Sequence, residues 1–220
     1  MASGWETLRK TYCNEEGPVS STAQQQMIVD AFQSEIYVSN RMDVQSTPIY
    51  DTIAIAVGNP VNALTTSFFT NVGPASLKSI ALTNMTQSQR LPAPEAFSIF
   101  AFRFRWAENI VMADFLNLYN VTCLEFFLGQ KCYQRCPLWM VGAGGGPSGL
   151  ATGNAINIYA NGVPMREAMY KLAIPIVIEN QMTFWAQLNG AGFNAAAANV
   201  GGTGIYIQLV LEGLYARGVQ

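Results

Sequence analysis

The stretch Phe97-Ser98-Ile99-Phe100-Ala101-Phe102-Arg103-Phe104-Arg105-Trp106 decides the fold class. Phe100, Phe102, Phe104 and Trp106 fall on one phase of a two-residue period, and Ile99, Ala101, Arg103 and Arg105 on the other. Side chains alternate across a strand, so this spacing predicts a strand whose aromatic face is buried. The opposite face turns from apolar to basic along its length, as if the strand ran from a core toward a polar edge. Arg103 and Arg105 are there as cations of an interface or as a solvated face.

The same grammar extends outward in both directions. From Pro48 onward short apolar runs are separated by Gly, Pro and Asn, and nine candidate strands result: 50–57, 64–70, 97–106, 121–128, 131–134, 156–159, 172–178, 182–188 and 205–215. That number and spacing fit an antiparallel β-sandwich or jelly roll. Between Asn109 and Tyr119 the alternation fails. Ile110, Val111, Asp114, Phe115 and Leu118 take helical spacing instead, which predicts one short helix capping an end of the sandwich. Gly142–Gly149 and 195–204 lack periodicity and read as loops. In the closing strand Ile205, Ile207, Leu209 and Leu211 alternate with Tyr206, Gln208, Val210 and Glu212. Residues 1–47 are polar and Gln/Ser-rich and read as an extended N-terminal arm, leaving 48–220 as one all-β domain.

Composition narrows the function classes. Only 12% of the 220 residues are charged and 50% are apolar, against the roughly 25% charge of an ordinary soluble domain. Much of the surface is then covered by something other than solvated charge; contact with other protein is one cover, and a weakly charged monomer with a large core is the alternative. The net charge is −2 with no basic run, so direct nucleic-acid binding is not expected. No apolar run approaches the roughly 18 residues of a membrane helix, and Met1-Ala2-Ser3-Gly4-Trp5-Glu6 lacks a secretory pattern. The four cysteines, Cys13, Cys123, Cys132 and Cys136, are too sparse for a disulfide framework and fit a reducing compartment.

Catalytic motifs are missing where they would be sought. There is no histidine, which removes Ser-His and Cys-His mechanisms outright. Gly144-Gly145-Gly146-Pro147-Ser148-Gly149 spells the dinucleotide-binding glycine pattern, but Pro147 and the lack of a following helix deny it the helix N-terminus that would hold a pyrophosphate. Cys132 and Cys136 offer two thiolates where a structural zinc site needs four ligands, so buried thiols, or a pair oxidised late, are expected. The nearest acidic pair, Glu15-Glu16, lies in the arm, away from any geometry suited to glycoside hydrolysis. Asn84-Met85-Thr86 and Asn120-Val121-Thr122 match the glycosylation acceptor pattern, a chance match without a secretory signal. We expect no enzyme, no cofactor and no metal.

Three blocks carry a resemblance: Ser67-Phe68-Phe69-Thr70-Asn71; Lys78-Ser79-Ile80-Ala81-Leu82-Thr83-Asn84-Met85; and Leu91-Pro92-Ala93-Pro94-Glu95-Ala96-Phe97. With Ile174-Pro175-Ile176-Val177-Ile178, Phe184, Leu211-Glu212-Gly213-Leu214-Tyr215 and Arg217-Gly218-Val219-Gln220, they resemble bacteriophage virion structural proteins over about two-thirds of the chain. The resemblance implies a jelly-roll-like capsid protein, a coat or a cement subunit, assembled in the host cytoplasm and residing in the virion. Its partners would be copies of itself, as a trimer or lattice, and other capsid subunits. Candidate inter-subunit contacts are Met27, Phe32 and Ile36 in the arm, with Arg103, Arg105, Trp139 and Arg217 in the domain. The alternative is a carbohydrate- or receptor-binding sandwich on a virion surface, using Trp106, Trp139 or Trp185 as a platform.

Overall fold

In a computed structural model of the chain, which describes residues 42–56, 61, 66–72, 76, 78–106, 110, 112–141, 169–190, 194 and 205–218, the aromatic stretch forms β4 (Ala96–Trp106). Before it come β1 (Met42–Gln45), β2 (Ile49–Ile55) and β3 (Ser67–Phe68). After it come α1 (Met112–Val121), β5 (Thr122–Leu128), β6 (Lys131–Pro137), a 3₁₀ turn (Leu138–Met140), β7 (Tyr170–Ile178), β8 (Phe184–Gly190) and β9 (Ile205–Gly218). All pairings are antiparallel. One sheet runs β1-β9-β4-β7, with β2 also on β9, and the other runs β3-β8-β5-β6.

β1 and β2 lie along the same edge of β9, β1 against 215–218 and β2 against 205–211, and so act as one strand interrupted at 46–48. Pro48 at the break has no N–H to give to a ladder. Counted this way there are eight strands among the described residues: the first pairs the last, the second the seventh, the third the sixth and the fourth the fifth. That nesting is a long hairpin rolled upon itself, the jelly roll. The all-β antiparallel sandwich expected from the alternation is the fold observed.

Two details differ from the sequence reading. The first strand begins at Met42, inside the 1–47 segment taken as arm, because Met42–Gln45 continue the β9 ladder past the Pro48 break. The second difference lies in β4. Its register against β9 shifts between Ile99 and Ala101, so Phe100 is the extra residue of a bulge. A bulge flips the phase of what precedes it. Phe97 and Ile99 therefore join Phe102, Phe104 and Trp106 in the core, and Phe100 does not. Gly213, opposite Ile99, is where the backbones close up: a Cβ there would lie 1.9 Å from the Ser98 carbonyl oxygen. The expected strand 156–159 and the loops Gly142–Gly149 and 195–204 lie outside the described residues.

Between the sheets, β9 contributes Ile205, Ile207, Leu209 and Leu211, all fully buried, in the phase read from the sequence. Aromatic rings interlock across the layers, with Phe102 on Phe126 at 5.5 Å and Phe68 on Phe104 at 6.0 Å between centroids. One inward position on β2 is an acid. Asp51 is 0% exposed; its Oδ2 accepts the Phe69 N–H at 2.7 Å and its Oδ1 faces Lys78 Nζ at 2.8 Å. It thereby ties the first sheet to the end of β3 in the second, satisfying a buried charge with a cation and a backbone donor.

The turns β5–β6 and β7–β8 and the long β3–β4 connection gather at one end, joined by Gly129 N–H to Thr183 O at 2.6 Å and Phe184 N–H to Gln89 O at 2.8 Å. α1 and the 3₁₀ turn sit together at the opposite end.

Candidate functional site

The end carrying α1 is built on a ladder of rings. Phe104 meets Trp106 at 5.9 Å, Trp106 meets Phe115 edge-on at 5.3 Å, and Phe115 stacks on Tyr119 at 5.3 Å. Tyr119 Oη then donates to the Trp139 carbonyl oxygen at 3.1 Å, fastening the 3₁₀ turn to the helix. Asp114, Phe115 and Leu118 form the buried face of α1, as the helical spacing predicts. The other face and the turn leave Leu116, Val121, Trp139 and Met140 exposed, Trp139 at 54%. This end thus presents four large apolar side chains with no exposed charged residue among the described residues 112–121 and 138–141, on a scaffold held by aromatic contacts and a hydrogen bond. Association buries such side chains favourably, by about 25 cal/mol per Å².

Further exposed apolar groups lie elsewhere. Ile174, 60% exposed, is on β7, and Tyr133 is on β6. These strands are the outer edges of their sheets on one side of the sandwich, bridged by Gln134 Nε2 donating to Tyr170 Oη at 2.8 Å. Their outward backbone groups have no sheet partner among the described residues, the arrangement another chain could pair with; Lys131, Arg135 and Pro175 on the same strands blunt that tendency. Ile80, at 80%, stands on the β3–β4 connection.

The residues singled out from the sequence scatter. Arg103 is half-buried and its Nε lies 2.5 Å from Glu212 Oε1, an ion pair within the sheet. Arg105, one step along the outward face, is exposed. Arg217 is exposed on β9, with Asp43 at 3.8 Å. Trp139 belongs to the helix-end patch, and Met27, Phe32 and Ile36 lie outside the described residues. Leu116, Val121 and Met140 were not singled out. The signal for Leu116 was an apolar residue standing off the helix's own apolar stripe.

The other two tryptophans among the described residues are occupied. Trp106 is buried in the core, and Trp185 stacks at 4.2 Å on Phe127 across the outer face of the second sheet. Beside that pair Glu125, only 4% exposed, takes Arg135 Nε at 2.8 Å and Gln187 Nε2 at 2.7 Å, a row across three strands. Asn84, in the first acceptor pattern, spends its amide on the fold: it receives Tyr50 N–H at 2.9 Å and donates to Pro48 O at 2.8 Å.

Cys132 and Cys136 cannot bridge within one chain. Both lie on β6, where four residues span about 13 Å, twice the reach of a disulfide. The β5–β6 register also shifts between Phe126 and Phe127, so Cys132 pairs with outward-facing Phe127 and Cys136 with core-facing Leu124. Burial pushes the Cys136 thiol up from 9.0 to about 11. Among the described residues no three His, Cys, Asp or Glu groups gather as metal ligands, and no helix is long and apolar enough to cross a membrane. Neither a family model, nor a curated protein, nor a solved structure matches the chain.

Proposed function

We propose that this chain is a structural subunit of a bacteriophage capsid, a coat or cement protein that works by packing against copies of itself and neighbouring capsid subunits, without catalysis. The jelly roll is a frame used by capsid domains, but also by lectins and cupins, so the surface has to carry the argument. What carries it is the uncharged helix end: Leu116, Val121, Trp139 and Met140 exposed on a rigid mount, in a chain with only 12% charged residues. A residue on a rotation axis meets its own copies, so an axis excludes like charges and accepts a patch of this kind. The exposed groups on β6, β7 and the β3–β4 connection supply contacts on other flanks, as a lattice requires. Assembly takes place in the host cytoplasm, and the finished subunit resides in the virion.

The test is to express the full chain alone and follow it by sedimentation velocity and electron microscopy. We expect a trimer or closed shells. Closed shells identify a coat; a discrete trimer that adds only to a preformed lattice identifies cement. A compact monomer at every concentration up to about 100 µM, where an interface of about 1,000 Å² or more would hold, overturns the reading. Removing residues 1–41, which leaves β1 in place, tests the arm: unchanged assembly shows that it laces nothing.

A further inference from the structure

A cleft of about 200 Å³ opens beside the interruption between β1 and β2, lined among others by Gln45, Thr86, Arg90, Glu95, Tyr215 and Arg217. Ile49 and Leu91, both 1% exposed, supply an apolar floor. Two cations against one carboxylate make the lining net positive, in a chain whose net charge is −2.

The cations are available. Arg90 has no ion-pair partner among the described residues, and Arg217 has only Asp43 at 3.8 Å with both side chains about half exposed. Glu95 is engaged by the Tyr215 hydroxyl, which donates to its Oε2 and leaves Oε1 to accept from a ligand. Both arginines also stand on fixed backbone. Residue 89 is bonded to Phe69 O and to Phe184 N–H, Leu91 O accepts Gln181 N–H at 3.1 Å, and Arg217 sits in the β1–β9 ladder opposite Asp43. Such anchoring lowers the ordering cost of binding, and guanidinium groups suit carboxylate oxygens. The volume is below the roughly 300 Å³ of drug-sized pockets and admits one sugar ring or one side chain.

We propose that this cleft binds a carboxylate borne on a small hydroxyl- or amide-bearing body: the arginines take the anion, Glu95, Gln45 and Thr86 the polar groups, and Ile49 and Leu91 the apolar face. The carboxylate could come from an acidic sugar or from an acidic side chain of a second copy.

Equilibrium dialysis of the full chain against labelled D-glucuronate, with D-glucose as its uncharged counterpart, tests this on free and assembled protein alike. We expect one saturable glucuronate site per chain, about millimolar, and none for glucose. Arg90→Gln and Arg217→Gln should each weaken it about tenfold, with the thermal midpoint showing that both variants fold, whereas Arg105→Gln on the outer sheet face should leave it unchanged. No saturable uptake by about 20 mM glucuronate, or uptake that survives the double variant Arg90→Gln/Arg217→Gln, overturns the proposal. Equal occupancy in monomer and assembly assigns the site to a free acid; occupancy that vanishes on assembly assigns it to a neighbouring copy. A chain that stays monomeric at every concentration and still binds glucuronate would refute the capsid reading and leave this one standing.

Discussion

Asp51 shows how much one side chain holds. It occupies an inward position on β2, between Ile49 and Ile53, and is fully buried against Lys78 and the Phe69 N–H. Removing one member of a buried pair leaves the other uncompensated, so Asp51→Asn should cost about 3–5 kcal/mol in urea unfolding. Asp51→Asn/Lys78→Met should recover most of that loss, since Asn still accepts from Phe69. Equal instability of single and double variants would show that the pair is not the clamp. Cys136 makes a second prediction. Its thiol is raised from 9.0 to about 11 in the folded chain, chiefly by burial, so above pH 9 the unfolded chain loses this proton first. The Cys136 contribution is complete below about pH 9 and is lost as pH rises toward about 11, and Cys136→Ala should flatten that decline in unfolding free energy.

Among the elements, β4 is the most instructive, because its bulge divides one apparent alternation into two phases. Phe102 is fully buried and Phe100 only partly, though both lie on the same parity of the sequence. Phe102→Ala should lose about 3–5 kcal/mol by thermal or chemical unfolding, and Phe100→Ala less than half as much. Equal losses would mean that the bulge is misplaced. Nothing in the period of the residues marks the bulge; the sign of it is Gly213 on β9, the site where two backbones approach too closely for any Cβ. Asp51 was more legible, being an acid in the inward phase of an otherwise apolar strand.

Taken whole, the molecule is a jelly roll with uncharged apolar groups at its helix end and exposed apolar groups on its free edges. If the helix end is a contact between copies, Leu116→Asp and Trp139→Asp should abolish or weaken assembly at least tenfold in sedimentation while shifting the thermal midpoint little, since both side chains already face solvent. Assembly unaffected by both would move the contact to the β6–β7 side.

The sequence by itself determined the all-β class, the capping helix and the inward phase of β9, because burial imposes a two-residue period on strands and a different one on helices. Only the tertiary structure decided the strand order, the bulge at Phe100, the Asp51–Lys78 clamp and the cleft between Arg90 and Arg217. Each of these joins segments far apart in the chain, and local periodicity carries no record of which segments meet.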